Sequence, residues 1–215
     1  MNGLFNEMGP CTILRGSNVT SANPHSWNAN ASVLFIDQPA GVGFSTIKAG
    51  TPYVGSDIEA AEDFQTFLRI FFDRVFPSKA KLPIHLAAES YGGHYAPITV
   101  KHILDSREAN SLDAFWGDIK SIVLVNALVE PLQSTIGHYQ LFCTDYRGHL
   151  WNQTVCDKLA EGLPKAEELD QLCQLKYDRK QCADMVEYAY SLSVDVLFEE
   201  AMTGKRNQYF GKTLE

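Results

Sequence analysis

The sequence predicts a fold of the α/β class, in which a mostly parallel sheet is flanked by helices. Strand-like and helix-like segments alternate over residues 33–125, and a serine stands between one such strand and the helix after it. After about residue 135 the strand pattern stops, and a polar, cysteine-bearing and helical stretch begins. We therefore expect a partial α/β core at residues 1–135. A helical cap insertion with a ragged C-terminal end would fill residues 136–215.

The first strand and the first helix are predicted from apolar spacing. Residues 33–36 form a short apolar run that predicts a buried strand, and a glycine-rich loop follows it. Residues 56–76 predict a helix that Ser56 can cap. Its large apolar residues recur at the spacing of one helix face: Phe64, Phe67, Leu68, Phe71 and Phe72.

The next three elements repeat the pattern. Residues 83–88 and 119–125 predict two more buried strands, because each is a short apolar run. Residues 94–106 predict a helix, and Pro97 is tolerated because it falls in the first turn. Strand, helix, strand, helix, strand in this order predicts a parallel sheet with helices on its faces.

Composition excludes several classes of function. The chain has 215 residues, of which 45% are hydrophobic and 20% charged, which argues against disorder. Its formal net charge is −8, so we expect neither nucleic acid nor an anionic membrane as a partner. No apolar run approaches the roughly 20 residues that span a bilayer.

Cysteines and glycosylation sequons together indicate an oxidising, secretory compartment, either extracellular or vacuolar and lysosomal. Four of the five cysteines lie between Cys143 and Cys182, and Asn-X-Ser/Thr sequons begin at Asn18, Asn30 and Asn152. The first seven residues carry no signal-peptide pattern. We therefore expect the N-terminus of the natural protein to lie upstream.

Ser90 is the candidate nucleophile, since it follows a predicted strand in the sequence Ala88-Glu89-Ser90-Tyr91-Gly92. A sharp strand-to-helix turn strains the serine backbone and lifts its hydroxyl above the sheet, as in a G-x-S-x-G nucleophile elbow. Ala88 and Gly92 meet the need for small residues two positions away on either side. The Tyr91 N–H is a candidate oxyanion donor. A five-residue pattern leaves open a simple serine N-cap.

Four segments form a recognisable series along the chain. They are GLFNEMGP at residues 3–10, NPHSWN at 23–28, VLFIDQPAGVGFS at 33–45 and ESYGGHYAP at 89–97. This series resembles the serine carboxypeptidase family over about residues 1–135. The resemblance implies the α/β-hydrolase fold, and it implies release of C-terminal residues from peptide or protein substrates without a cofactor.

The resemblance also implies roles for individual residues. Ser90 would be the acyl nucleophile, and the Tyr91 N–H would be one half of the oxyanion hole. Glu7 and Glu89 would recognise the C-terminal carboxylate of the substrate. Two adjacent carboxyl groups share a proton and can donate a hydrogen bond to that carboxylate, which predicts an acidic optimum. The alternative for both glutamates is an ordinary solvated surface charge.

A general base and its orienting acid are not found. In α/β hydrolases an aspartate and then a histidine follow the serine on later strands. None of the later candidates follows a terminal strand: His94, His102, His138, His149, Asp113, Asp118, Asp145, Asp184 and Asp195. In the family, a W-x-N-G-G-P-G segment precedes the segment that matches residues 3–10. This sequence begins after that position. We therefore expect an internal piece of a longer enzyme, with little activity alone and an exposed sheet edge.

The cysteines of the cap allow three pairings, and the resemblance favours Cys143–Cys156 and Cys173–Cys182. Cys11 is left over, either with a partner elsewhere or as a buried free thiol. Zinc is disfavoured, because the sequence has no C-x-x-C pair, and no other metal is expected. The resemblance also implies a glycan at Asn30.

Two other functions stay open. An acyltransferase or lyase could use the same serine on the same scaffold, although the presence of both Glu7 and Glu89 favours the peptidase. A non-catalytic α/β protein, acting as a chaperone or binding partner, would fit the missing base and acid. The sequence leaves the side-chain preference and the oligomeric state undetermined.

Overall fold

The computed structural model describes residues 2–14, 16, 18–145 and 153–195. The chain divides into two compact units, residues 1–125 and residues 126–215. Our division into a core and a cap after residue 135 stays a prediction. The predicted ragged end at residues 204–215 lies outside the described residues.

The first unit contains two small sheets. Strand β1 (Cys11–Ile13) pairs antiparallel with β2 (Thr20–Ala22). Strand β3 (Ile84–Glu89) pairs in parallel with β4 (Ile119–Val125). The second and third predicted strands are therefore confirmed, as is their parallel pairing.

Helices α1 (Asp57–Ile70) and α2 (Gly92–Glu108) confirm the two helices predicted for this unit. Helix α1 begins where expected, because the Ser56 hydroxyl accepts a hydrogen bond from the Glu59 N–H at 3.2 Å. The chain continues past α1 as a π-helical turn over Phe71–Val75. Helix α2 begins two residues earlier than expected.

The core of the first unit lies where α1 and α2 meet the parallel strands. Leu68 of α1, Ile103 of α2 and Phe115 are buried together, and partly buried apolar residues pack around them: Phe64, Phe72, Ile84 and Ile119. The Phe72 and Phe115 rings stack with centroids 5.7 Å apart. This packing holds the ends of β3 and α2 in a fixed relation, and Ser90 lies at the junction of those ends.

Two predictions about the strands are wrong. Residues 33–36 form no strand, because they pair with no other strand among the described residues, and Leu34 is exposed. An extended run becomes a strand only when a neighbour supplies its hydrogen bonds. Strands β3 and β4 are also not fully buried. Side chains of β3 alternate between exposed and partly buried, and Val123 and Leu124 of β4 are exposed.

The second unit is helical in its described part. It comprises α3 (Pro131–Tyr139), α4 (Gln153–Lys176) and α5 (Arg179–Leu192), and a π-helical turn over Gln140–Asp145 follows α3. Leu132, Ala166 and Leu192 bring the three helices together in one apolar cluster. Among the described helices, none combines the length and the apolar character needed to cross a membrane.

Two disulfides fasten the second unit. Cys143 is bonded to Cys156, and their Cα atoms are 5.5 Å apart. Cys173 is bonded to Cys182 across the turn between α4 and α5, with Cα atoms 4.6 Å apart. These are the two pairs that the family resemblance favours. Each closes a short loop, which stabilises the fold by restricting the unfolded chain.

Candidate active site

Ser90 lies in a sharp turn between β3 and α2, and its backbone is strained. Its φ angle is 54°, in the left-handed region that residues other than glycine rarely adopt. The Ser90 N–H donates to the Val125 carbonyl at 3.2 Å, and the Ser90 carbonyl accepts from the Gly93 N–H at 3.0 Å. The serine itself is exposed. These bonds hold an exposed serine at the carboxyl end of a parallel strand.

The strand and the helix approach each other closely on either side of Ser90. A Cβ atom placed on Gly92 would lie 2.7 Å from the Ala88 Cβ, which is closer than such atoms are ever found. Only a residue without a side chain therefore fits at position 92. The steric demand that the sequence suggested for a nucleophile elbow is present in the structure.

Tyr91 stands between the serine and the first residue of α2. Its hydroxyl donates to the Asp57 carboxylate, at 3.2 Å to Oδ2. Its ring stacks on His94, with centroids 4.8 Å apart, and meets Tyr95 edge-on at 5.0 Å. The backbone N–H of this residue thus lies at the positive end of α2, where a developing oxyanion is stabilised.

The structure brings Glu7 and Glu89 together, although 82 positions separate them in the sequence. Partial burial raises the pKa of Glu7 above its ordinary value, and the Glu89 carboxyl raises it further by a hydrogen bond and by like charge. The Asn2 amide also donates to Glu7 Oε1 at 2.7 Å. A carboxyl group with a raised pKa retains its proton at higher pH, so this pair can hold one shared proton.

The segment at residues 23–28 fastens Glu7 in place, and sequence reasoning assigned it no role. The Asn23 amide donates to the carbonyls of Glu7, at 3.0 Å, and Gly9, at 2.9 Å. The Ser26 hydroxyl and the Trp27 N–H both bond to the Met8 carbonyl. The NPHSWN motif was the available signal, but only the structure shows that it holds the π-helical turn over Gly3–Glu7, which carries Glu7.

The loop at residues 37–45, which follows the wrongly predicted strand at residues 33–36, is also anchored by side chains. The Asp37 carboxylate is buried and accepts from the Phe44 N–H at 2.8 Å. Gly43 has a φ of 54°, and a Cβ there would lie 2.1 Å from Asp37 Oδ2. The Gln38 amide bonds the carbonyl of Ala60 in α1 at 3.1 Å. The loop is therefore bonded to the helix that contacts Tyr91, which the pattern of side chains along the chain does not predict.

No histidine in the described ranges makes a hydrogen bond to Ser90. His94 stacks on Tyr91, and His102 lies 3.4 Å from the Gln65 amide. His138 belongs to the second unit, where burial lowers its pKa. His149 lies outside the described residues.

None of the aspartates considered as the orienting acid forms a hydrogen bond with Ser90 in the described ranges. Asp113, Asp118 and Asp184 form ion pairs with Arg69, Lys120 and Lys180. Asp145 accepts from the Thr144 hydroxyl, and Asp195 ends the described part of the chain.

The remaining predictions concern the sequon asparagines, Cys11 and metal binding. Asn18 and Asn30 are exposed, as a glycan requires, and Asn152 lies outside the described residues. Cys11 is a partly buried free thiol. Among the described residues, no cluster of histidine, cysteine and acidic side chains could hold a metal ion.

A parallel strand, a strained serine and a following helix define the α/β-hydrolase class. A search of solved structures agrees. The crystal structure of Kex1(Δ)p, a prohormone-processing carboxypeptidase from Saccharomyces cerevisiae, matches with a TM-score of 0.67 at 22% identity. The match covers 89% of this chain and 41% of that one. It establishes the fold.

The sequence comparisons then establish the family. The family profile described as serine carboxypeptidase matches residues 1–211, and the chain belongs to that family. Carboxypeptidase Y of Schizosaccharomyces pombe is 35% identical over 74% of this chain, and that of Candida albicans is 36% identical over 80%. This chain covers only 16% and 30% of those two proteins, respectively.

Proposed function

We propose that this chain carries the nucleophile and the carboxylate-recognition site of a serine-type carboxypeptidase. The observation that carries the proposal is the combination of a strained, exposed Ser90 with the Glu7–Glu89 pair next to it. The relatives named above are carboxypeptidases, which supports the same reaction. The substrates would be peptides or proteins with a free C-terminus.

The proposed reaction proceeds through an acyl-enzyme. The Ser90 oxygen forms a bond to the carbonyl carbon of the last peptide bond, and its proton passes to a general base. The Tyr91 N–H stabilises the oxyanion of the tetrahedral intermediate. The C–N bond then breaks, and the departing amino acid takes the proton. Water attacks the acyl-serine in the same way, which frees the shortened peptide and restores the hydroxyl.

The general base would come from outside the described residues, since none of the described histidines bonds to Ser90. His149 is the one histidine outside the described ranges, and it follows no predicted strand, so we expect the 215-residue chain alone to show little or no turnover. A non-catalytic role is the second candidate, and the same observation about the histidines favours it. Exposed sequon asparagines and two disulfides support a secretory glycoprotein, extracellular or vacuolar.

The carboxyl pair makes binding dependent on pH in a defined direction. With a shared proton, the pair donates a hydrogen bond to the peptide carboxylate. Once pH rises above the raised pKa of Glu7, both glutamates are ionised and repel that carboxylate. Affinity for a peptide with a free C-terminus should therefore be high in acid and fall as pH rises.

Calorimetric titration of the 215-residue chain with one peptide, as the free acid and as the C-terminal amide, tests this at pH 4.5 to 8. We expect the free acid to lose at least about tenfold in affinity across the range, corresponding to about 1.4 kcal/mol, while the amide changes little. Glu7→Gln should flatten the pH dependence, and Glu62→Gln on the exposed face of α1 is the matched control. Equal binding of acid and amide at every pH would refute the carboxylate site.

Catalysis needs a separate measurement on the full natural protein. Release of C-terminal amino acids at acidic pH, abolished by Ser90→Ala, is the expected result. A full-length protein that binds free-acid peptides but never cleaves them would favour the non-catalytic candidate.

A further inference from the structure

The geometry around Tyr91 points to Asp57 as a positioning residue for the oxyanion donor, an inference that rests on the proposed function. Asp57 is the first residue of α1 and contacts Tyr91 through a side-chain hydrogen bond. It touches neither Ser90 nor any reacting atom in our scheme. We propose that it acts through the Tyr91 ring, which it holds so that the Tyr91 backbone faces the oxyanion.

The side chain that caps α1 is that of Ser56 and not the Asp57 carboxylate. Ser56 accepts from the Glu59 N–H, and Glu59 Oε2 accepts from the Gly55 N–H at 2.7 Å. These two bonds cap the start of α1 without using the Asp57 carboxylate. The Asp57 carboxylate is instead directed at Tyr91, with its oxygens 3.2 and 3.5 Å from the phenol oxygen.

Tyr91 is the side chain through which the turn can be held. Glycines follow it at positions 92 and 93, and they offer no side chain to anchor the turn. The Tyr91 side chain, in contrast, contacts the Asp57 carboxylate, the face of His94 and the edge of Tyr95. Because the ring is attached to the Tyr91 Cα, a rotation of the peptide unit that presents the N–H would pull the ring away from these contacts, and the contacts therefore restrain the oxyanion geometry.

The hydrogen bond also ties two separate elements together. Asp57 and Tyr91 are 34 residues apart, so the bond joins the start of α1 to the elbow at the start of α2. Helix α1 in turn holds the loop after Asp37, through the bond from Gln38 to the Ala60 carbonyl. The start of α1 is thus the point at which the elbow and this loop are held relative to each other.

The first test uses nuclear magnetic resonance on the 215-residue chain and needs no turnover. With ¹⁵N-labelled serine and tyrosine, Asp57→Ala should shift the amide signals of Ser90 and Tyr91 by more than about 0.1 ppm in the proton dimension. Asp57→Asn retains an acceptor oxygen and should restore most of the wild-type shifts. Asp63→Asn removes an exposed carboxylate from the same helix and should leave both signals in place.

The second test measures kinetics on the full natural protein. We expect Asp57→Ala to lower kcat about tenfold with KM nearly unchanged. Loss of a whole oxyanion donor lowers kcat by a factor of about 10² to 10³, whereas this change only misaligns a donor that is still present. Tyr91→Phe should lower kcat by a similar factor, and the double variant should lower kcat no more than either single variant does. Asp57→Asn should recover most of kcat.

The two tests separate failure of this inference from failure of the proposed function. A full natural protein of wild-type sequence that cleaves no peptide would refute the function, and the amide signals of the 215-residue chain would still report whether Asp57 fixes Tyr91. Unchanged Ser90 and Tyr91 signals in Asp57→Ala would overturn the inference. So would an active enzyme in which Asp57→Ala changes only thermal stability, or raises KM without lowering kcat.

Discussion

Replacement of Gly92 by alanine would test the elbow directly. The new Cβ would lie 2.7 Å from the Ala88 Cβ, whereas two carbon atoms in favourable contact lie about 3.5 to 4.0 Å apart. The strand and the helix would have to separate by roughly 1 Å at the point where they hold Ser90. The atom in the way belongs to a short side chain on a paired strand, so it cannot rotate aside.

The size of the effect follows from two opposing contributions. Overpacking of this kind costs about 1 to 3 kcal/mol. Alanine regains up to about 1 kcal/mol over glycine inside a helix, and less at the first helical position, where Gly92 stands. We therefore expect a net loss of about 1 to 2 kcal/mol in the free energy of unfolding, or a fall of roughly 0.5 to 1 M in the urea midpoint.

Urea denaturation followed by tryptophan fluorescence measures this loss, and two further variants control it. Gly137→Ala in α3 places a Cβ with nothing within 4 Å, so it should be neutral or stabilising. The double variant Ala88→Gly, Gly92→Ala exchanges the two sizes and should recover much of the stability. A Gly92→Ala protein as stable as the wild type, or a double variant without recovery, would refute the steric argument.

Two other changes test the supports of the site and of the second unit. Asn23→Ala removes hydrogen bonds to the Glu7 and Gly9 carbonyls, so it should lower stability by about 1 to 2 kcal/mol and weaken binding of free-acid peptides, as calorimetry would show. Binding at wild-type strength would contradict the anchoring role. Replacement of both Cys143 and Cys156 by serine should cost about 2 to 4 kcal/mol in urea denaturation, whereas Cys11→Ser should cost less than about 1.

The elbow could be predicted from the sequence because its constraints are local. A short apolar run, a serine and small residues two positions away on either side all fall within a few positions. The helix that begins after Ser56 was predictable for the same reason, since capping involves residues three apart. Where a structure is decided by neighbours in the chain, pattern and propensity are sufficient.

The first predicted strand shows where local reasoning fails. Residues 33–36 have the composition of a buried strand, but strand formation depends on a partner that the local pattern does not specify. The support of Glu7 by Asn23 spans 16 residues and uses backbone carbonyls, which every residue has. Such contacts leave no mark in the spacing of side-chain types, so the structure was needed to find them.

On the proposed function, the position of the carboxyl pair relative to the serine would favour cleavage at the end of the substrate. Glu89 and Ser90 are consecutive, so their Cα atoms lie about 3.8 Å apart. In a substrate, the terminal carboxylate and the last peptide carbonyl are separated by one residue, which is a similar distance. A peptide whose carboxylate is bound by Glu7 and Glu89 would therefore present only its last peptide bond to Ser90. An internal bond has no carboxylate at that distance, and its approach would leave the pair without a partner. On the proposed function, a carboxylate site next to Ser90 would thus favour the removal of one residue at a time.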